Sequence, residues 1–208
     1  MKTTKEKASY CIGLETARNL KNQFAEMDVQ YLSQGFSDAL QEITPKLDQN
    51  EIQAILNALK KQVETQQRQH FTKISEENKK RAETFLNENK NKEGIISLPT
   101  GLQYKVLAKG KDSTIRPTPF DFVKIHYRGS FTDGRVFDSS YQRGQPHVFA
   151  LNRIIAGWSE ALQLMSVGDK WQIFIPPYLA YGEMGFGQEI GPNTALIFEI
   201  ELLGINEK

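Results

Sequence analysis

A single cysteine, Cys11, stands among the 208 residues, so no disulfide can close within the chain. The three histidines, His70, His126 and His147, lie far apart with no cysteine at zinc-ligand spacing, which excludes the common structural zinc patterns. Charge of one sign is missing too: 26 Lys and Arg stand against 25 Asp and Glu. So balanced a chain has no broad field with which to hold nucleic acid or an anionic membrane. No run of about 18 apolar residues occurs, the length a membrane-spanning helix needs. Met1 to Lys7 is polar where an export signal would carry an apolar stretch. The expectation is a cytoplasmic protein as the chain is written, or a periplasmic or outer-membrane-associated one if an export signal preceded it. No cofactor, metal or nucleic acid is expected as a partner.

Residues 1–99 are poor in chain breakers, with three glycines and two prolines, whereas residues 100–208 hold 12 glycines and six prolines. Aromatics divide the same way, six against 15. Few breakers among Gln, Lys, Glu, Asn and Leu favour long helices, and frequent Gly and Pro between short apolar alternations favour antiparallel strands. An all-helical first part and a β-rich second part follow.

An apolar stripe at Ile12, Ala17, Leu20 and Phe24 predicts a helix over 8–24, and Leu32, Phe36, Ala39 and Leu40 predict a second over 28–42. Asp48 with Glu51 fits a capping box, and Leu47 with Ile52 a hydrophobic staple, at the start of a third helix. No Gly or Pro then occurs until Gly94, so this helix is expected to run roughly 40 residues, or about 60 Å. Its apolar positions are dense at Ile52, Ile55, Leu56, Leu59 and Val63, then thin to Phe71, Ile74, Phe85 and Leu86. The first half is expected to pack and the second to stand as a solvated strut. Two short helices and half of a long one make a small core, which self-association would remedy. A helical cap on the β-rich part, or a coiled coil with another partner, are the other readings.

In the second part, alternation at Leu102, Tyr104 and Val106, at Val123, Ile125 and Tyr127, and at Leu196, Phe198, Ile200 and Leu202 predicts half-buried strands. Asp133-Gly134 fits a hairpin turn, and 154–165 a short helix before a strand over 170–175. One helix on a curved antiparallel sheet is an α+β arrangement.

Val123-Lys124-Ile125-His126-Tyr127-Arg128-Gly129, then Asp133-Gly134, Val136-Phe137-Asp138-Ser139-Ser140, Gly157-Trp158, Leu179-Ala180-Tyr181-Gly182 and the strand Leu196 to Leu203 resemble the FKBP-type peptidyl-prolyl isomerases in order and spacing. Upstream, Ala8-Ser9-Tyr10-Cys11-Ile12-Gly13, the long polar helix, and Gly94-Ile95-Ile96 before Gly101-Leu102-Gln103-Tyr104 look like the bacterial Mip-like subgroup and its cytoplasmic relatives. The resemblance implies a helical dimerisation module over 1–47, a connecting helix over 48–93 and an isomerase domain over 94–208. It also implies a V-shaped homodimer joined through the N-terminal helices and a chaperone activity of that dimer. The partners it implies are unfolded or proline-containing polypeptides and rapamycin-type macrolide inhibitors.

Rotating an Xaa-Pro bond crosses a barrier of about 18–20 kcal/mol, set by the partial double bond of the amide. No bond is made or broken. The catalyst needs an apolar bowl that favours the twisted amide, with one or two polar groups, rather than a nucleophile or a metal. The resemblance assigns catalysis to Tyr127, Phe137, Asp138, Trp158, Tyr181 and Phe198, with Trp158 as the floor. It assigns substrate binding to Arg143, Ile154, Ile155, Phe186 and Ile190. Arg143 is the expected charge partner of Asp138. Read without the resemblance, Asp138 fits an Asx-turn and Tyr181 a core tyrosine. Two departures stand out: His147 replaces an aromatic common in the family, which either makes one wall more polar or is a solvated loop histidine, and Phe186 lies in the loop where eukaryotic relatives often carry histidine. A non-catalytic holder of clients on the same fold is the alternative function.

Overall fold

The computed structural model describes residues 1–24, 26–110 and 115–206. It divides into two compact units, Met1–His70 and Phe71–Lys208.

In the first unit, α1 (Thr4–Gln23) begins with a capping box that the sequence reading did not single out. Thr3 Oγ1 accepts from the Glu6 N–H at 3.2 Å, and the Glu6 carboxylate accepts from the Thr3 N–H at 3.2 Å. α2 (Val29–Leu40) starts on Asp28, whose carboxylate accepts from the N–H groups of Gln30 and Tyr31. α3 (Gln49–Asn89) starts as expected on Asp48, which accepts from the N–H groups of Asn50 and Glu51. These caps satisfy backbone donors that a helix start leaves open. Burial tells a different story, because no described residue of the first unit is buried. The half of α3 expected to pack leaves Ile55, Leu56 and Leu59 exposed.

The second unit is a sheet of β1 (Ile96–Ser97), β2 (Gln103–Ala108), β3 (Phe122–Phe131), β4 (Val136–Ser139), β5 (His147–Ala150), β6 (Lys170–Ile175) and β7 (Leu196–Ile205). The order is β1-β2-β6-β7-β3-β4, and every pairing is antiparallel. β3 is long enough to serve two neighbours along its outer edge, β5 against Phe122 to Ile125 and β4 against Arg128 to Ser130. The chain between them, which carries Arg143, is thereby held beside the middle of β3. Gly134 supplies the positive φ, 89°, that the β3–β4 turn needs.

Alternate residues of β7, Leu196, Phe198, Ile200 and Leu202, point into the core, as do Val123, Ile125 and Tyr127 of β3. α4 (Ala156–Leu162) lays Trp158, Ala161 and Leu162 on this face.

The opposite face corrects an expectation. The last turns of α3 belong to the second unit and are packed against the sheet, not solvated. Ala82 is 3% exposed and Asn89 2%. Phe85 meets Phe174 with ring centroids 6.0 Å apart. Phe174 lies between Ile173 and Ile175 in sequence and therefore faces the other side of the sheet, yet it is buried too. Asn89 Nδ2 donates to Gln103 Oε1 at 2.9 Å, and Gln103 Nε2 donates to the Leu86 carbonyl at 2.8 Å. Small and amide side chains do the packing here, which apolar counting overlooks.

Candidate active site

The rings of the core open at one point into a cleft of about 300 Å³. Tyr127 reaches it from β3, Phe137 and Asp138 from β4, and Phe149 from β5. Arg153 ends the 3₁₀ turn Leu151–Arg153, followed by Ile154 and Ile155 and by Trp158 on the first turn of α4. Tyr181 and Phe186 come from the loop after β6, and Phe198 from β7.

Trp158 is boxed by near-perpendicular neighbours, with ring centroids 4.9 Å from Phe198, 5.0 Å from Tyr127 and 5.7 Å from Phe149. Edge-to-face packing of this kind fixes the indole plane. Phe137 stands at 90° to Phe198, 5.5 Å away. Both rings close over Gly129, where a Cβ would fall 2.5 Å from Phe198 Cε1 and 2.8 Å from Phe137 Cζ. Only glycine on β3 lets these walls meet.

The polar groups are few. The Tyr127 hydroxyl donates to Asp138 Oδ2 at 2.6 Å, and Arg143 Nη2 donates to that same hydroxyl oxygen at 2.6 Å. Arg143 also pairs with Asp138 Oδ1 and lies over the Tyr127 ring. Burial raises the Asp138 pKa, but the bonds from Tyr127 and Arg143 and the guanidinium charge outweigh it, so Asp138 is held below its ordinary value and stays ionised. Burial first, then the bond to Asp138, push the Tyr127 phenol up to about 12. Burial, with the Asp138 charge, also raises Tyr181. Both phenols therefore remain donors near neutrality. The Tyr127 donor is committed to Asp138, whereas the Tyr181 hydroxyl has no hydrogen-bond partner among the described residues.

Nine of the eleven residues singled out from the sequence line this cleft. Arg143 stands behind Asp138 instead, and Ile190 is buried under the loop, where its backbone pairs with Phe186. Phe186 stacks on Tyr181 with centroids 4.9 Å apart. His147 does not line the cleft; its ring packs against Phe149 and Tyr127, so the more polar wall expected there is absent. Phe149 and Arg153 line the cleft and were missed. Phe149 had a signal, since it shares a strand face with His147, two residues away.

A second feature is invisible to pattern reading. The loop bearing Tyr181 and Phe186 is closed at its base by Asn193, whose N–H donates to the Gly182 carbonyl at 2.8 Å. α3 grips that base: Asn193 Nδ2 donates to Ser75 Oγ at 2.8 Å, and Asn78 Nδ2 donates to the Pro192 carbonyl at 2.8 Å. Among the described residues no group of His, Cys, Asp and Glu is arranged to hold a metal, and no helix is long and apolar enough to cross a membrane.

The pattern of the FKBP-type peptidyl-prolyl cis-trans isomerase family matches residues 113–203, and that of the domain amino terminal to it matches residues 5–106. Outer membrane protein MIP of Legionella longbeachae is 38% identical over 99% of this chain and 87% of its own. The FKBP-type 22 kDa peptidyl-prolyl cis-trans isomerase of Escherichia coli is 40% identical over 98% of this chain and 96% of its own. The crystal structure of FkpA from Escherichia coli, 32% identical, superposes with a TM-score of 0.75 over 99% of this chain and 98% of that one. Both halves of the chain thus have their counterparts in the same relatives, and the aromatic cleft falls inside the half that the catalytic family's pattern covers. The chain belongs to the FKBP-type peptidyl-prolyl cis-trans isomerases and acts on proline-containing polypeptides.

Proposed function

We propose that the cleft floored by Trp158 is where the proline ring sits while the Xaa-Pro amide turns, with no covalent step. The observation that supports this most is an apolar bowl of about 300 Å³ holding one uncommitted hydroxyl donor, Tyr181. A planar amide owes its polarity to resonance, and the twisted amide has lost it. Moving the amide from water to a wall of Phe137, Ile155 and Phe198 costs the planar form more than the twisted one, which is the differential binding that catalysis needs. A donor on the rotating carbonyl would favour the planar form. Tyr181 therefore bonds a neighbouring carbonyl and anchors the chain on one side of the turning bond. Asp138, kept ionised by Arg143 and Tyr127, lies beside the rotating carbonyl. Ile154 and Phe186 bound the rim, and Ile190 supports the loop beneath Phe186.

Rapamycin-type macrolides, whose pipecolinyl ring imitates proline, occupy the same bowl and inhibit. Calorimetry at micromolar ligand tests this, and an absence of heat contradicts it. For the site itself, Asp138→Ala and Tyr181→Ala lower peptide isomerisation while circular dichroism stays that of the wild type. Two variants as active as the wild type would contradict it.

The first unit, in this reading, is a dimerisation module over 1–47 that continues into the connecting helix over 48–93, ahead of the isomerase domain over 94–208. The support is apolar exposure: Leu40 is 83% exposed and Tyr31 76%, with Val29 and Phe36 on the same short helix also uncovered. A second copy of the chain would cover them. Two clefts joined this way hold one unfolded client at high effective concentration, which gives the dimer a chaperone activity beyond peptide turnover. Light scattering checks the dimer, and Phe36→Asp should dissociate it without changing short-peptide activity per chain. For the compartment, the pointer is the outer-membrane name of the Legionella relative. Cell fractionation separates that placement from the cytoplasmic one expected from the sequence.

A further inference from the structure

Among the described residues, two charged ones line the cleft, Asp138 and Arg153. Asp138 is already neutralised, since both of its oxygens are engaged by Arg143 and Tyr127. Arg153 is not: it is exposed at the end of its 3₁₀ turn and has no hydrogen bond, ion pair or ring contact among the described residues. The acids of the neighbouring loop do not answer it. Glu183 and Glu189 line other cavities, one toward Lys79 and Lys90, the other toward Arg81 and Arg135. Among the described residues, the mouth of the cleft therefore carries one uncompensated positive charge. It stands directly before Ile154, at the rim of the cleft, and Ile155, in its wall.

We propose that Arg153 makes the enzyme selective for clients that carry an acidic residue next to the proline. The inference rests on the Trp158 cleft being the catalytic site. A carboxylate beside the proline meets the guanidinium as a charge-assisted hydrogen bond, and an ammonium in the same place meets repulsion. The chain as a whole is nearly neutral, with a formal charge of +1, so this selectivity is local and does not come from long-range steering.

The test uses the full chain and four short peptides with uncharged ends, in which Glu or Lys stands immediately before or immediately after proline. Their kcat/KM values are compared in the wild type, Arg153→Gln and Arg153→Glu. The wild type prefers Glu over Lys at one or both positions by about two- to five-fold, the size of one exposed ion pair. That ratio moves toward one in Arg153→Gln, inverts in Arg153→Glu and shrinks at about 1 M salt, where screening is near complete beyond a few ångströms. A purely structural role would lower both peptides together and leave the ratio alone. A Glu/Lys ratio near one in the wild type, or the same ratio in all three proteins, overturns the proposal. Asp138→Ala, run alongside, separates the causes. If it turns over all four peptides at the wild-type rate, the cleft is the wrong site and the proposal falls with it. If it loses turnover while the Arg153 variants keep the wild-type ratio, the selectivity of Arg153 alone is refuted.

Discussion

The two units of this chain are ordered by different means. Residues 1–70 carry well-made helix starts at Thr3, Asp28 and Asp48, yet no described residue among them is buried. Residues 71–208 bury Leu102, Ile125, Leu162, Ile173 and Ile200 completely and surround Trp158 with rings. Short helices are marginal in water even when well capped, because caps offset only part of the cost of nucleation. Local signals therefore specify the helices of the first unit without holding them together, whereas the second unit has a core of its own. The cleft proposed as the catalytic site lies wholly in the unit that has this core.

Cutting the chain at two places sharpens that contrast most. Removing residues 1–70 should leave a folded isomerase, whereas removing 1–90 takes Ala82, Phe85 and Asn89 from the sheet. Phe174 is then uncovered and the Gln103 amide loses its partners. The shorter fragment should be less stable than the longer by roughly 4–7 kcal/mol, from lost aromatic packing and buried hydrogen bonds. Urea denaturation measures the difference, and equal stabilities would break the comparison. Within the core, Trp158→Ala should abolish peptide turnover and cost about 3–5 kcal/mol, as a cavity replaces a boxed indole. Asn89→Ala should cost about 1–3 kcal/mol, because it leaves the buried Gln103 carbonyl oxygen unpaired, with little change in turnover.

The smallest effect is one of pH. Asp138 has a lowered pKa in the folded chain, so its contribution to stability is present above its unfolded pKa of about 3.9 and is lost as pH falls through the folded value. Thermal melts of the wild type and Asp138→Asn should differ by a constant amount near neutrality and converge in acid. A gap that widens in acid would contradict the assigned direction.

The β-rich unit was readable because alternation in Val123 to Tyr127 and Leu196 to Leu202 is strict and the turn at Asp133-Gly134 is bounded by it. The cleft was readable only through the joint spacing of its aromatics, since each one alone looks like core. The choice between a catalyst and a non-catalytic holder of clients was settled by full-length relatives, not by any single residue. The end of α3 misled because its buried positions are Ala82 and Asn89, which carry no apolar stripe. Its grip on the cleft loop through Ser75 and Asn78 joins residues more than a hundred positions apart by hydrogen bonds. No periodicity records such a pairing. Arg153 escaped notice for a related reason: an exposed arginine after a short turn has meaning only once the cleft beside it is known.

The central claim is that the site is complete within residues 71–208. Its most direct test is the kcat/KM of that fragment on a short proline peptide, measured against the full chain. The same value per chain is expected, because every residue that lines the cleft, and each of Ser75, Asn78 and Arg143 that supports it, is retained. A folded fragment that has lost most of its turnover would contradict the account.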